Sequence, residues 1–379
     1  MSASSRPKIV LSANSQWNIV NFRSGLIRAL REAGFEAIVI APPDASAEQR
    51  MRELGVERIG IEVERSGLNP LADLKLLSAY RRLLKRLRPA AYLGYTIKPN
   101  IYGCIAAASA GIPAVPNVSG LGTAFMRGGP LRQLAILLYR FAFRRAPVVF
   151  FQNEEDRRLF IDLRIVGADR ARVVPGSGID LEHFRQVPLP ASGPVFLLIG
   201  RLLRDKGVLE FVEAARQVRS ELPHARFQLL GPVDDSNRSA VGAGAVRSWV
   251  EEGIIEYLGA TDDVRPHIAE ASVIVLPSYR EGLPKSLLEG AAMGRALIAA
   301  DVPGCRDVVE DGLNGYLCPP RDALSLAGAI RKMAALPKTE RVAMGAAGRA
   351  RIQDRFSETL VIGAYLGALA DLGVGRQLF

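Results

Sequence analysis

The sequence predicts an α/β protein with two Rossmann-like domains that face each other across a cleft. Apolar runs of strand length alternate with helical patterns along the whole chain, which is typical of parallel sheets. The alternation is interrupted once, by the proline-rich stretch 187–194, and then restarts. A length of 379 residues, with 49% hydrophobic and 23% charged side chains, suits two globular domains.

Six candidate strands precede the proline-rich stretch and six follow it. The first six are 8–13, 36–41, 58–63, 92–94, 114–117 and 148–152. The second six are 195–199, 227–230, 255–258, 273–276, 296–299 and 315–318. We predict domains at 1–188 and 189–355, followed by a C-terminal helix within 356–379 that packs back on the first domain. Ligands of open parallel sheets bind beyond the carboxyl ends of the strands, so we expect the functional residues there.

Positive charge is concentrated in the first half of the chain. The formal charge is +11 for residues 1–190 and −1 for residues 191–379, and residues 74–153 contain twelve basic side chains and no acidic one. This asymmetry predicts an anionic partner. Two cationic amphipathic helices, predicted over 73–88 and 131–145, suit an anionic lipid surface. We expect most of their apolar residues to pack on the sheet and their arginines to meet phosphate.

The sequence predicts neither a disulfide nor a membrane span. The cysteines Cys104, Cys305 and Cys318 are odd in number and widely spaced, which is typical of a reducing cytosol and offers no cluster of metal ligands. Residues 1–7 are polar and unlike a secretory signal, and no apolar run reaches the ~18 residues of a membrane helix. We expect a cytoplasmic protein that is attached peripherally to the inner face of the cell membrane.

The stretch 277–290 predicts a helix whose first turn binds phosphate. Glu281 and Glu289 flank the start of a predicted helix, with Pro284 at the first helical position and good helix-forming residues over 286–293. First-turn amides and the helix dipole bind phosphate, and the two carboxylates can accept hydrogen bonds from sugar hydroxyls. The alternative is a surface helix with ordinary acidic residues.

A basic pair follows the first strand of the second half. Arg201 and Lys206 lie in the segment 200–207, which leads from that strand to the next helix. A planar guanidinium and a mobile ammonium can converge on one diphosphate and neutralise the charge of a departing nucleotide. Either residue could instead be a solvated surface charge.

These motifs resemble those of the retaining glycosyltransferases of family 4, which have the GT-B fold. The family pattern Glu-x7-Glu is met by Glu281 and Glu289, and Arg-x4-Lys by Arg201 and Lys206. Similar loops follow at 303–307 and 311–315. The first half resembles a narrower group, bacterial enzymes that extend undecaprenyl-diphosphate-linked sugars, in segments 18–23, 98–103, 117–122 and 176–180.

The resemblance implies that the second half binds a nucleotide sugar, with a UDP-sugar as the expected donor. Arg201 and Lys206 would bind the diphosphate, Glu281 would contact the donor sugar, and these three would be the catalytic residues. Glu289 would hold the ribose. The implied donor-binding residues are Arg201, Lys206, Gly231, Glu281, Gly282, Leu283, Ser286, Leu287 and Glu289. We expect no cofactor and no metal, because basic side chains and helix amides already supply a positive field.

The resemblance also implies that the first half binds a polyprenyl-diphosphate-linked saccharide as the acceptor. The implied acceptor-binding residues are Asn18, Asn21, Arg23, Lys98 and Ser119. Asn21 could instead cap a helix that starts at Phe22. Because Ser119 stands where many relatives have a histidine, we expect the leaving phosphate to take the acceptor proton, with retention by same-face substitution.

Three other functions were weighed against transfer. A nucleotide-sugar epimerase shares the fold but usually needs acids and a histidine that the first half lacks. A glycoside hydrolase built on Glu281 and Glu289 leaves Arg201 and Lys206 without a role. A non-enzymatic nucleic-acid binder would use the basic half, which has no recognisable nucleic-acid module. We therefore predict transfer of a hexose or N-acetylhexosamine in bacterial surface-glycan assembly, with an anionic membrane surface as a partner and no nucleic acid.

Overall fold

Two compact units make up the chain. The computed structural model describes residues 6–64, 69–120, 129–191, 193–233, 237 and 239–375. Unit 1 is formed by Met1–Gly178 together with Glu358–Phe379, and unit 2 by Ile179–Ser357. Each unit is built on its own parallel sheet with helices on both faces, which confirms the predicted fold class.

Unit 1 contains a seven-stranded parallel sheet. Its strands are β1 (Lys8–Ser12), β2 (Glu36–Ile40), β3 (Glu57–Ile59), β4 (Ala91–Tyr95), β5 (Ala114–Val118), β6 (Val149–Phe151) and β7 (Ala171–Val173). They lie in the order β3-β2-β1-β4-β5-β6-β7, so the strand order reverses between β1 and β4. Such a switch point is where open α/β sheets bind their ligands.

The helices of unit 1 cover both faces of this sheet. They are α1 (Gln16–Phe22), α2 (Ser24–Glu32), α3 (Glu48–Glu53), α4 (Pro70–Leu87), α5 (Cys104–Ser109), α6 (Gly129–Phe143), α7 (Glu154–Asp162) and α15 (Glu358–Asp371). Side chains of β1 alternate between two apolar cores: Val10 packs with α4 to α7, and Ile9 and Leu11 pack with α1 to α3 and α15.

The C-terminal helix α15 belongs to unit 1, as predicted. It buries Val361, Tyr365, Ala368 and Leu369 in the core beside α2. The Asn117 side-chain amide, at the end of β5, donates to the Tyr365 hydroxyl at 3.0 Å. The last helix therefore completes the core of the first domain and reaches the carboxyl edge of its sheet.

Unit 2 contains a six-stranded parallel sheet. Its strands are β8 (Val195–Ile199), β9 (Arg226–Leu230), β10 (Glu256–Tyr257), β11 (Val273–Leu276), β12 (Ala296–Ala300) and β13 (Gly315–Cys318), in the order β10-β9-β8-β11-β12-β13. Its helices are α8 (Val208–Val218), α9 (Ala243–Glu251), α10 (Arg265–Glu270), α11 (Lys285–Ala292), α12 (Cys305–Val308), α13 (Ala323–Ala335) and α14 (Lys338–Arg355). The strand order reverses between β8 and β11.

Within the part of the chain that the structure describes, no helix has the length and apolar run needed to cross a bilayer. The three cysteines, Cys104, Cys305 and Cys318, are buried and form no disulfide.

Candidate active site

The segment after β8 forms a tight turn that presents Lys206. A single 3-10 turn, Arg204–Lys206, ends at Gly207, whose φ of 74° lies in the left-handed region that favours glycine. A Cβ at Gly207 would overlap the carbonyl oxygen of Pro277. The turn therefore packs directly on the loop that follows β11, and no larger residue fits at this point.

Hydrogen bonds join these two loops. The carbonyl oxygen of Asp205 accepts from the Tyr279 amide at 2.9 Å and from the Ser278 hydroxyl at 3.0 Å. The Lys206 ammonium forms an ion pair with the Glu281 carboxylate, and their side chains are 26% and 12% exposed. The structure thus brings together two of the three predicted catalytic residues and restricts their movement.

Tyr279 fixes the same loop to helix α8. Its hydroxyl donates to Glu210 Oε1 at 2.6 Å, and the Arg321 guanidinium lies 4.5 Å from its ring centroid. Burial, and next the bond to Glu210, raise the pKa of Tyr279 to about 12, so the phenol remains a donor at neutral pH. Sequence reasoning missed both Tyr279 and Glu210, because their 69-residue separation follows no periodicity.

Helix α11 starts one residue later than predicted. Pro284 is the N-cap, with φ −77° and ψ 110°, and the helix begins at Lys285. The Leu288 amide makes the first intrahelical bond, to the Pro284 carbonyl at 3.2 Å, so the three preceding amides have no acceptor within the helix. No side chain caps this end. The first turn is therefore suited to an anion, as the sequence predicted.

For several residues of the predicted donor site, the backbone rather than the side chain is suited to contact a ligand. The Leu287 side chain lies in the apolar core of unit 2, and the Leu283 side chain packs against that core, so their amides rather than their side chains are suited to a ligand. Ser286 and Gly282 are half-buried. A Cβ at Gly304 would overlap the Gly282 carbonyl oxygen, so the following loop supports this segment from behind.

Glu289 is a buried carboxylate in α11. Its Oε1 lies 3.6 Å from the Lys285 ammonium one turn earlier. Burial raises the pKa of Glu289, and the nearby Lys285 charge opposes that rise. The group is desolvated before any ligand arrives, and a hydrogen bond from a ligand hydroxyl would stabilise its ionised form.

Arg201 and Gly231 lie at the same edge of the unit 2 sheet. Arg201 follows β8 and is exposed, and Gly231 follows the neighbouring strand β9. Gly231 has a φ of 148°, and a Cβ there would overlap the Gly200 carbonyl oxygen. Because β8 also pairs with β11, the loops that carry Arg201, Gly231 and Glu281 follow three adjacent strands.

Unit 1 places its predicted acceptor residues at one sheet edge too. Asn18 and Arg23 follow β1, Lys98 follows β4 and Ser119 follows β5, and these strands are adjacent. Arg23 is buried, its guanidinium carbon 4.1 Å from the ring centroid of Tyr95. Asn18 and Ser119 are partly buried. The set therefore follows three adjacent strands, two of which form the switch point of the first sheet.

Two predicted acceptor residues already have protein partners. Lys98 forms an ion pair with Asp73 of α4, with Nζ and Oδ1 at 2.8 Å. Asn21 accepts from Arg50 of α3 at 2.9 Å and donates to the Trp17 carbonyl oxygen at 2.9 Å. Asn21 does not cap a helix at Phe22, because α1 runs through both residues and α2 starts only at Ser24.

Unit 2 contains a histidine, His183, to which the sequence analysis gave no role. His183 Nδ1 lies 3.4 Å from Arg265 Nη1. Burial, and next the Arg265 charge, lower the pKa of His183, which favours the neutral ring.

Among the residues described, no three His, Cys, Asp or Glu side chains are grouped closely enough to hold a metal ion.

Two family models match the chain, one in each half. A model described as "Glycosyl transferase 4-like domain" matches residues 20–176, and one described as "Glycosyl transferases group 1" matches residues 193–335. Together with two parallel-sheet domains, these matches define a glycosyltransferase of the GT-B class. The chain belongs to this family 4-type group of glycosyltransferases, which confirms the resemblance read from its motifs.

Two curated relatives make the similarity more specific. The N,N'-diacetylbacillosaminyl-diphospho-undecaprenol alpha-1,3-N-acetylgalactosaminyltransferase of Campylobacter jejuni is 29% identical over 92% of this chain and 94% of its own length. The UDP-Gal:alpha-D-GlcNAc-diphosphoundecaprenol alpha-1,3-galactosyltransferase of Escherichia coli is 27% identical over 69% of this chain and 70% of its own length. Both names describe transfer to a diphosphoundecaprenol-linked sugar.

Solved structures show the same fold at low sequence identity. HepE of Anabaena, in complex with UDP and glucose, has a TM-score of 0.79 and 18% identity, covering 97% of this chain and all of its own. Sucrose-phosphate synthase of Thermosynechococcus elongatus has a TM-score of 0.77 and 20% identity, covering 99% of both chains.

Proposed function

We propose that the protein transfers a hexose or N-acetylhexosamine from a UDP-sugar to a polyprenyl-diphosphate-linked saccharide in bacterial surface-glycan assembly. The observation that carries this proposal is the pairing of Lys206 with Glu281 in two mutually fixed loops of unit 2. The names of the two relatives support the acceptor class, and the UDP-Gal in the name of the Escherichia coli enzyme supports a UDP-linked donor.

The donor diphosphate is bound by Arg201, Lys206 and the first-turn amides of α11. These groups follow adjacent strands, so their positions are set by the sheet before the ligand binds. As the bond to the sugar breaks, negative charge grows on the departing phosphate, and the Lys206 ammonium stabilises it. Glu289 accepts hydrogen bonds from the ribose hydroxyls.

Glu281 has two roles in this proposal. Its carboxylate holds the Lys206 ammonium in place, and it accepts a hydrogen bond from a hydroxyl of the donor sugar. Because the Glu281 backbone is supported by Gly304 and the Asp205 carbonyl fixes Tyr279, the sugar meets a preorganised loop.

The chemical step is a same-face substitution that retains the anomeric configuration. The acceptor hydroxyl oxygen forms a bond to the anomeric carbon while the bond to the nucleotide phosphate oxygen breaks. The hydroxyl proton passes to that phosphate oxygen, so no protein base is required. We propose that basic groups and helix amides replace a metal ion in stabilising the leaving diphosphate.

The acceptor is bound by unit 1. Lys98 binds its diphosphate by exchanging its contact with Asp73 for one with phosphate, and Arg23 follows the neighbouring strand β1. Asn18 and Ser119 contact the saccharide. Asn21 acts indirectly, because its side chain connects α1 to Arg50 of α3.

The protein works at the cytoplasmic face of the cell membrane, attached to its anionic surface. Ten of the twelve basic side chains between residues 74 and 153 lie on or directly after helices α4 and α6 of the described structure: Lys75, Arg81, Arg82, Lys85, Arg86, Arg88, Arg132, Arg140, Arg144 and Arg145. Each basic residue near such a surface contributes about 1 kcal/mol. This charge serves lipid rather than nucleic acid.

The test is a transfer assay with UDP-sugars, a polyprenyl-diphosphate-linked acceptor and EDTA, with the product's anomeric configuration read by NMR. We expect transfer in EDTA with retention, and a loss of about 100-fold in kcat for Glu281→Gln. Glu221→Gln, an exposed carboxylate of unit 2 paired with Arg331, is the matched control and keeps full activity. An inverted product would contradict the same-face substitution, and a metal requirement would contradict the role of the basic groups and helix amides. An active Glu281→Gln variant would contradict the role of Glu281.

A further inference from the structure

Helix α6 exposes three large apolar side chains on one face. Leu134, Leu137 and Phe141 are 44%, 59% and 58% exposed. The opposite face packs in the core of unit 1 through Ile136, Tyr139, Ala142 and Phe143. Most apolar residues of this helix pack on the core, as expected, and these three, which we call the apolar ridge, are the exception.

The apolar ridge is continuous and bordered by positive charge. Its members are spaced by three and four residues, which places them on one side of the helix. The Arg144 guanidinium lies 5.6 Å from the Phe141 ring centroid. Arg140 and Arg145 lie on and directly after the same helix, are exposed, and donate to the carbonyl oxygens of Leu163 and Ala108. Residues 74–153 contain no acidic side chain. An exposed apolar patch of this kind marks an interaction surface.

We propose that the apolar ridge inserts into the acyl region of an anionic bilayer while the neighbouring arginines contact lipid phosphates. This combination of apolar side chains within a cationic border matches hydrocarbon below a layer of anionic headgroups. The proposal rests on the proposed function, in which the acceptor is itself anchored in a membrane.

The position of α6 within unit 1 supports a lipid partner. The helix contacts the π-helical turn Pro99–Gly103, which directly follows Lys98. The same turn contacts α4, whose Asp73 pairs with Lys98. The apolar ridge and the proposed ligand of the acceptor diphosphate thus lie on neighbouring elements, so inserting one would bring the other close to the headgroup layer.

Insertion makes membrane binding partly resistant to salt. Attraction between arginines and headgroups is screened by added salt, whereas burial of apolar side chains is not. With electrostatic attachment alone, binding should disappear completely at about 0.5 M NaCl, where the screening length is only a few ångströms. With insertion, a measurable fraction of the protein remains bound to vesicles.

The first test is flotation with vesicles of phosphatidylglycerol and phosphatidylethanolamine across a salt series. We expect the double variant Leu137→Ser/Phe141→Ser to bind about tenfold more weakly at low salt, which corresponds to about 1.4 kcal/mol, and not at all at high salt. The matched control is Leu324→Ser/Val250→Ser, which changes two apolar side chains of unit 2 that are 69% and 42% exposed. It should bind like the wild type.

A second measurement locates the apolar ridge directly. All three native cysteines are buried, so a cysteine introduced at the surface can be labelled selectively. An environment-sensitive dye on Leu137→Cys should shift its emission to the blue when vesicles are added. The same dye on Leu324→Cys should not.

Two results would overturn the proposal. In one, wild-type binding vanishes at high salt and the serine double variant behaves like the wild type. In the other, the serine variant dissociates a dimer that forms without lipid, which would make the apolar ridge an interface between copies of the chain. Transfer to a short-chain, water-soluble acceptor, retained in Leu137→Ser/Phe141→Ser, separates failure of insertion from failure of the proposed function.

Discussion

Burial of the Glu289 carboxylate has opposite effects on the stability of the folded state and on the binding of a ligand. The carboxylate, on α11, is buried, and burial raises its pKa above the ordinary value of 4.5. Ionisation of such a group weakens the folded state, because the unfolded chain solvates the charge better. The same desolvation strengthens any hydrogen bond that the carboxylate accepts from a ribose hydroxyl.

Replacing Glu289 with Gln should therefore stabilise the protein and weaken the nucleotide site. Because the pKa is higher in the folded than in the unfolded state, the stability linked to the bound proton is present below pH 4.5 and is lost as the pH rises through the folded value. Glu289→Gln should thus raise Tm at neutral pH and change it little below pH 4.5. Its affinity for UDP should fall about tenfold at neutral pH.

Thermal scans and UDP titrations across pH check both parts. In the wild type, UDP affinity should fall as the pH is lowered through a range above 4.5, and this fall should be absent from Glu289→Gln. Glu251→Gln, on the exposed side of α9, serves as the control. A lower Tm together with unchanged UDP affinity for Glu289→Gln would count against a ribose-binding role.

The sequence did not predict which side chains pair with the site residues. Lys206 and Glu281 were predicted from motif spacing, and the structure adds that they pair with each other. Asp73, which neutralises Lys98, lies on a helix that was interpreted only as amphipathic. Such contacts arise from the packing of distant segments, which local patterns do not encode.

At the scale of elements, two loops of unit 2 behave as one structure because Gly207 allows them to touch. Gly207 and Gly312 have nearly equal φ angles, 74° and 78°. A side chain at Gly207 would overlap Pro277, whereas a Cβ at Gly312 would meet open space. Comparing substitutions at these two glycines therefore separates the effect of backbone strain, which both positions share, from the effect of losing the contact between the loops.

Gly207→Ala should disable the active site, and Gly312→Ala should not. Both substitutions incur a left-handed backbone cost of about 1–2 kcal/mol, so both should lower Tm. Only Gly207→Ala also displaces the loop of Glu281, and we expect its kcat to fall by more than tenfold, because positioning of catalytic groups is lost. Transfer assays and thermal scans on both variants provide the measurement, and equal activity of the two would contradict the coupling of the loops.

The hydrophobic pattern predicted the positions of strands well where the strands are long and buried. The strand predicted at 195–199 matches β8 residue for residue, because the run is apolar throughout. The prediction missed β7, since three residues at a sheet edge give little signal. The strand predicted at 58–63 pairs only over Glu57–Ile59, for the same reason.

At the scale of the whole molecule, the sequence located the charge but not the exposed apolar face. Helix α4 buries Leu76, Tyr80 and Leu84, as an amphipathic pattern predicts. Helix α6 is apolar on more than one side, and periodicity alone does not say which side the sheet covers. The domain limits at 188 and 355 remain a prediction.

The charge distribution differs between the two halves of the chain. Residues 1–190 carry the whole positive excess, whereas residues 191–379 have a net charge of −1. Net charge therefore attracts anions to residues 1–190 and gives residues 191–379 no general affinity for a nucleotide. In the proposed function, the donor is therefore bound by the local arrangement of Arg201, Lys206 and the first turn of α11.

Calorimetric titration of UDP into the wild type and Lys206→Met tests this central claim most directly. We expect Lys206→Met to weaken binding by about 10- to 100-fold, since a hydrogen bond to a charged group is worth about 1.5–3 kcal/mol. Lys338→Met, at the first residue of α14, is the matched loss of charge in unit 2 and should bind UDP like the wild type. A folded Lys206→Met protein with unchanged UDP affinity would contradict the account.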